Sequence, residues 1–253
     1  MDKRFAVLID ADNVSEKYIK PILDELSNDG IITYKRIYGD WTRPALGSWK
    51  QALLNHSITP IQQYSYTSGK NATDSAMIID AMDILYSGNV DGFCIVSSDS
   101  DFTRLAARLR ESGKYVIGMG EKKTPTPFIS ACNRFVYLEI LAQGDTAENA
   151  EQAEQEKEKS GECEHEVLKV KTIRSAICAI ISEVSDEDGW ASLSEVGNIL
   201  LKRYPSFDVR SFGFQKLTPF IKSMGMFEVY SIPSEKGNVK VIYIRRKTNG
   251  KDC

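Results

Sequence analysis

The sequence predicts an α/β protein: a doubly wound parallel sheet with helices on both faces, followed by a smaller winged-helix domain. Three observations predict it. Apolar runs such as Phe5–Ile9 and Phe93–Val96 alternate with helical patterns through residue 141, which is the rhythm of strand–helix–strand units. Two of these runs end in acid, at Asp10-Ala11-Asp12-Asn13 and at Ser97-Ser98-Asp99-Ser100-Asp101. In a parallel sheet ligands bind just beyond the carboxyl ends of strands. Finally, an acidic segment at 142–166 without large apolar residues separates this region from a basic tail with a renewed apolar rhythm at 167–246.

Taken in order, residues 5–9 form the first strand. Residues 15–27 read as a helix capped by Ser15 and broken or kinked at Pro21. Residues 31–38, rich in Ile, Thr and Tyr, are a strand that Gly39-Asp40 ends. A helix over 45–55 sets Leu46, Trp49 and Leu53 on one face, and 59–64 is a third strand. Residues 67–71 are a loop. Residues 73–86 are a long helix with Ala76, Met77, Ile79 (or Ile78), Met82 and Leu85 as its apolar set. The strand at 93–97, a helix at 102–112 ended by Gly113 and a strand at 115–118 follow. A short helix at 128–132 and a last strand at 135–140 close the region.

The segment 142–166 buries too little to offset its ordering entropy and reads as a linker. Beyond it, Val167, Val170, Ile173, Ile177, Ile180 and Ile181 stripe one helix. Leu193, Val196, Leu200 and Leu201 stripe a second, with Ser192 as cap and Glu195 in capping-box position. Asp208 is placed to cap a third helix. Pro219 either kinks that helix or opens a new one after Thr218. Strands at 226–232 and 239–244 complete a three-helix, basic-hairpin arrangement. The organisation is therefore 1–141, linker 142–166 and 167–246.

The net charge of −3 by itself predicts no nucleic-acid partner, but it averages unlike parts. Residues 1–141 hold sixteen basic and seventeen acidic groups, 142–166 two and nine, and 167–253 fourteen and nine. The tail domain carries the positive field. The five cysteines form no CxxC pair and there are two histidines, so neither a zinc site nor a disulfide framework is expected. Free thiols in a cytoplasmic protein, with no signal peptide and no membrane span, is the resulting expectation.

The candidate ligands are Asp10, Asp12, Asp74, Asp80, Asp99 and Asp101. Asp10 and Asp99 end strands expected to be neighbours, and Asp74 lies in the first turn of the 73–86 helix. Asp80 lies on a different bearing and suits a supporting or capping role. Crowded carboxylates raise one another's pKa unless a cation compensates. Mg²⁺ and Mn²⁺ prefer oxygen donors, and phosphodiester hydrolysis is the chemistry that uses several acids without histidine or cysteine. Against this, an Asp after a strand is often only a helix cap. Ser97 and Ser98 suit phosphate binding, orientation of Asp99, or capping. Lys70, Arg104, Lys122 and Lys123 are candidate phosphate contacts, with a solvated surface as the competing reading. Arg210, Lys216, Lys222, Arg245 and Arg246 stand likewise between gripping nucleic acid and solubilising the tail. Trp41 and Trp49 are placed between base stacking and packing, and His56 and His165 suit no catalytic role.

Leu-Ile-Asp-Ala-Asp-Asn at 8–13, Gly-Lys-Asn-Ala-Thr-Asp-Ser-Ala at 69–76 and Ser-Ser-Asp-Ser-Asp-Phe at 97–102 resemble the NYN domain of the PIN-like nuclease superfamily. The resemblance implies a Rossmann-like (PIN-like) fold and a Mg²⁺- or Mn²⁺-dependent ribonuclease. It implies Asp10, Asp74, Asp99 and Asp101 as catalytic, metal-binding acids with Asn13 and Asp80 in support; Asp12, Ser97 and Ser98 join them as supporting candidates from their place at the strand ends. Where relatives commonly have Ser-Gly-Asp, this chain has Ser97-Ser98-Asp99. Asp188-Gly189-Trp190, Leu193–Gly197, Tyr204–Asp208 and Gly213–Leu217 resemble an OST-HTH, or LOTUS, domain. That implies binding of single-stranded or structured RNA, or docking of a helicase or other protein. Two rival readings are a non-catalytic RNA-binding or regulatory protein with a structural metal site, and a haloacid-dehalogenase-type phosphatase, whose nucleophile motif Asp10-Ala11-Asp12 imitates.

Overall fold

The computed structural model describes residues 2–64, 72–143, 170–233 and 240–247. They form two units, divided between His165 and Glu166. The first is built around a strand that no solvent reaches. In β1 (Arg4–Asp10) every residue from Phe5 onward is at most 1% exposed. A strand so covered needs layers on both faces, and its alternation supplies them. Phe5, Val7 and Ile9 meet helices α1 (Ile19–Ser27), α2 (Trp49–His56) and α6 (Leu138–Gln143). Ala6 and Leu8 meet α3 (Ala72–Ser87), α4 (Thr103–Glu111) and α5 (Thr126–Ala131).

The other strands are β2 (Ile31–Gly39), β3 (Thr59–Gln62), β4 (Gly92–Val96), β5 (Tyr115–Gly120) and β6 (Arg134–Tyr137). The sheet runs β3-β2-β1-β4-β5-β6, parallel throughout. The chain builds outward from β1 to β3, crosses back through α3 and builds outward again from β4. β1 and β4 are thus adjacent strands whose connections leave in opposite directions, which opens a crevice at their carboxyl ends. Ile9 is level with Val96, so Asp10 and Ser97 face each other at that crevice.

Several local expectations are corrected. Pro21 does not break its helix, because it is the third residue of α1, where a backbone N–H has no intrahelical acceptor. Residues 16–18 before it form a 3-10 turn, and Ser15 makes no side-chain cap bond. The last strand stops at Tyr137, and Leu138–Gln143 turn into α6. Leu138 and Leu141 are buried against the α1 layer at helical spacing. In α3 the buried set is Thr73, Met77, Ala81, Ile84 and Leu85, while Ile79 is 63% exposed. A helix apolar on most of its surface leaves periodicity little to discriminate. Trp49 is a core residue at 2% exposure, and Trp41 packs beside the same cluster.

The second unit has α7 (Val170–Val184), α8 (Leu193–Arg203) and α9 (Leu217–Ser223). They pack on an antiparallel sheet ordered β7-β9-β8, from β7 (Ala191–Ser192), β8 (Phe227–Pro233) and β9 (Lys240–Arg246). Asp208 does cap, accepting from the Arg210 N–H, but the helix it starts is a four-residue 3-10 turn ended by Gly213 at φ 80°. The third helix begins instead at Leu217, with Pro219 in its first turn. Ser192 sits at the N-cap of α8 without a capping hydrogen bond; its hydroxyl lies 2.8 Å from that of Ser194. Cys94 and Cys132 are free and buried, as expected, whereas Cys178 is disulfide-bonded, contrary to the expectation of free thiols. Burial pushes the Cys132 thiol up to about 12. No helix among the described residues is long and apolar enough to cross a membrane. The expected loop 67–71, with Lys70, and nearly all of the linker lie outside the described residues.

Candidate metal centre

The crevice between β1 and β4 gathers acids from three separate stretches. Asp10 is 1% exposed and accepts three hydrogen bonds. Ser97 Oγ and Asn13 Nδ2 donate to its Oδ2 at 2.8 and 2.7 Å, and the Asp12 N–H donates to Oδ1 at 3.0 Å. Burial raises its pKa against those donors. Ser97 also accepts the Asp99 N–H at 3.0 Å. One buried hydroxyl therefore links the carboxylate that ends β1 to the backbone that positions Asp99.

Asp99 occupies the N-cap of the turn Ser100–Phe102, accepting the Asp101 N–H at 2.9 Å. The capping reading thus holds for this residue, and it aims rather than consumes the side chain. Asp74 rises from the first turn of α3 on the same side of the sheet. Asp74, Asp99 and Asp101 each offer a carboxylate oxygen, all within 4.8 Å of one another. Asp10 stands outside that group, yet its charge is felt by it. The pKa of Asp74 is pushed up to about 6, by burial first and then by the charges of Asp10, Asp99, Asp101 and Asp12. Asp74 makes no hydrogen bond or ion pair among the described residues. A partly buried carboxylate that feels four others is one whose charge a bound cation would relieve.

The remaining candidates are elsewhere. Asp80 is turned away, bonded to the Arg36 guanidinium and the Tyr38 hydroxyl across β2, where burial and Asp80 together raise the Tyr38 pKa. Ser98 accepts the Glu121 N–H at 2.8 Å and so fastens the loop after β4 to the end of β5. Asp12 pairs with Arg43 at 2.9 Å. Arg43 escaped the sequence reading. The available signal was a cation just past β2, the strand beside β1. It lines an open cleft of about 460 Å³ with Asp12, Asn13, Glu121 and Lys123. Arg104, exposed on α4, pairs with Glu111, and Lys123 pairs with Glu121. In the second unit Arg210 is clasped by Asp208, and Arg245 by Glu228 and the Trp190 ring. Lys216, Lys222 and Arg246 are exposed.

A model of the NYN domain matches residues 4–139, over half of the chain. The chain belongs to the NYN domain family. Its second unit matches the OST-HTH/LOTUS domain over residues 169–239. The NYN domain is a nuclease-family domain of PIN-like fold, and such nucleases generally use divalent metals. OST-HTH domains are winged-helix modules that bind RNA. The chain is similar to an uncharacterized protein of Methanocaldococcus jannaschii, 29% identical over 123 residues, 47% of this chain and 48% of that one. The chain thus spans about half the length of that curated relative. Among solved structures, a protein of unknown function from Vibrio parahaemolyticus aligns at TM-score 0.45 and 19% identity, over 54% of this chain and 93% of that one. An uncharacterized protein of Nitrosomonas europaea, solved by NMR, aligns at 0.28 and 25%, over 42% and 96%.

Proposed function

We propose that this NYN protein is a divalent-cation-dependent ribonuclease, acting as an endonuclease, whose OST-HTH unit captures single-stranded or structured RNA. The observation that carries the proposal is the meeting of Asp74, Asp99 and Asp101 with Asp74 left uncompensated. Oxygen donors alone, with no thiolate or imidazole among them, fit Mg²⁺ or Mn²⁺. Asp74, Asp99 and Asp101 would hold the cation, with the charge of Asp10 acting on Asp74 as well. What such a cation supplies is Lewis acidity toward phosphoryl oxygens and water.

The chain's own groups do the rest. Ser97 and Asn13 fix the orientation of Asp10, and Ser97 fixes the backbone of Asp99. Arg43 and Lys123, each held by a single carboxylate at the cleft beside Asp12, are placed to exchange it for an RNA phosphate. Lys70 and Arg104 are proposed as further phosphate contacts. Arg210, Lys216, Arg245 and Arg246 are proposed to serve the OST-HTH unit. The reading includes a cytoplasmic location and leaves room for a helicase at the second unit.

The test is a gel assay of single-stranded and structured RNA with the full chain. Added Mn²⁺ is expected to give internal cleavage that a chelator abolishes and re-addition restores. Product formed equally well under chelation would overturn the proposal; tight RNA binding without any product would favour a structural ion. Ser97→Ala tests the positioning argument. It strands the Asp99 N–H and removes a donor from a buried carboxylate, at about 1–3 kcal/mol. Cleavage should fall about 10- to 100-fold, as for loss of groups that orient metal ligands, while RNA affinity holds.

A further inference from the structure

The cations invoked above leave the most exposed aromatic surface of the second unit without a role. β8 and β9 are paired so that Tyr230 lies opposite Tyr243, with Glu228 opposite Arg245 on one side and Ile232 opposite Val241 on the other. Directly opposed residues share a face, and alternation puts these three pairs on the outer one. The inner face carries Val229 and Ile244 into the core. An antiparallel strand with one wet face normally shows polar residues there. Here Tyr230 is 57% and Ile232 43% exposed. Trp190, just before β7, tilts against Tyr230 at 5.9 Å. The Arg245 guanidinium lies 4.6 Å over the Trp190 ring and is held there by Glu228 at 2.6 and 3.0 Å. Arg245 thus holds the Trp190 ring, and Trp190 in turn leans on the exposed Tyr230.

We propose that the outer face of the β7-β9-β8 sheet, centred on Tyr230 and Tyr243 and flanked by Trp190 and Arg245, is a base-stacking platform for single-stranded RNA. Charge selects this occupant. Arg245 lies on this face and Lys247 is exposed just past β9, while Lys240 and Arg246 alternate to the other face; residues 167–253 hold fourteen basic against nine acidic groups. Braced aromatic rings beside cations are what unpaired bases on a phosphate backbone require. Bases inside a duplex are already stacked and present no free ring face. The contact surface is then a sheet, not the helix that winged-helix modules commonly insert into a groove. This inference rests on the RNA-binding reading of the second unit and is independent of the nuclease reading.

The experiment is a fluorescence-anisotropy titration of the full chain, under chelation so that no cleavage intervenes. The probes are a labelled oligouridine and an abasic strand of the same length and backbone. Oligouridine should bind more tightly than the abasic strand. Tyr230→Ala and Tyr243→Ala should each weaken it about tenfold, with Tyr230→Phe close to wild type and melting curves unchanged for the exposed Tyr230 variants. Equal affinity for the two probes, unchanged affinity in Tyr230→Ala, or a wild-type chain that binds neither probe would each overturn the platform. So would a dimer seen by sedimentation that Tyr230→Ala dissolves while RNA affinity is kept, since the occupant would then be a second copy.

Discussion

Asp74→Asn is expected to abolish Mn²⁺-dependent RNA cleavage while raising the melting temperature of the cation-free protein. The two effects have one cause. In the folded chain the Asp74 pKa lies near 6, above the ordinary 3.8, because burial and four neighbouring carboxylates oppose its charge. Between those two values the folded state keeps a proton that the unfolded chain has lost. Stability is therefore undiminished below the unfolded value and falls as pH rises through the folded one. Above pH 6 the full penalty would be about 3 kcal/mol, which solvent around a partly buried carboxylate cuts to about 1 kcal/mol. Asn carries no charge, so the variant escapes the penalty and should melt about 2–4 °C higher. The benefit should vanish well below pH 4, where both side chains are neutral.

Cation binding reverses the comparison. A ligand that binds only the folded state stabilises it, so Mn²⁺ should raise the melting temperature of the wild type and not that of Asp74→Asn. Protons compete with the cation for Asp74, and the cation's effect should weaken as pH drops below about 6. Loss of cleavage should be at least about 100-fold, since residues that merely orient ligands cost 10- to 100-fold. A variant that cleaves normally, or melts lower than wild type above pH 6, would refute this account. Melting curves across pH with and without Mn²⁺, alongside the gel assay, measure both halves.

Phe220→Ala is expected to cost the second unit about 3–5 kcal/mol. Phe220 is 1% exposed and touches three other rings, with Phe212 stacked at 5.0 Å, Phe214 edge-on at 5.5 Å and Phe207 tilted at 5.9 Å. No smaller neighbour can collapse into a hole bounded by rigid rings, so the loss should fall at the upper end. A unit of this size is stable by roughly 5–10 kcal/mol, so the variant should lose about half of it. Calorimetry should show one transition falling by more than about 10 °C and the transition of the NYN unit unmoved. RNA capture should fail at temperatures where Mn²⁺-dependent cleavage persists. A joint shift of both transitions would show that the units unfold together.

Much of the fold was legible because strand and helix signals in the NYN part are strong. The runs Phe5–Ile9 and Phe93–Val96 are short and apolar with acids close behind them, and three motifs in order resemble one family. The misreadings share a physical origin. Proline is disruptive only where an N–H has an acceptor, and Pro21 and Pro219 both sit in first turns, where it has none. The end of β6 was misplaced because Leu138 to Leu141 satisfy a strand or a helix equally, and only the α1 layer decides for helix.

By itself, the sequence determined that acids follow two buried strands and open one helix, since carboxylates cannot be left unpaired in an apolar interior. It determined, too, that a neutral, a strongly acidic and a basic stretch follow one another. Only the tertiary structure decided which acids meet. The switch in strand order sets β1 beside β4, and the return through α3 brings Asp74 to Asp99 and Asp101 while turning Asp80 onto Arg36 and Tyr38. Spacing along a chain fixes a residue's bearing on its own helix; what that bearing faces is fixed by the neighbours packed against it.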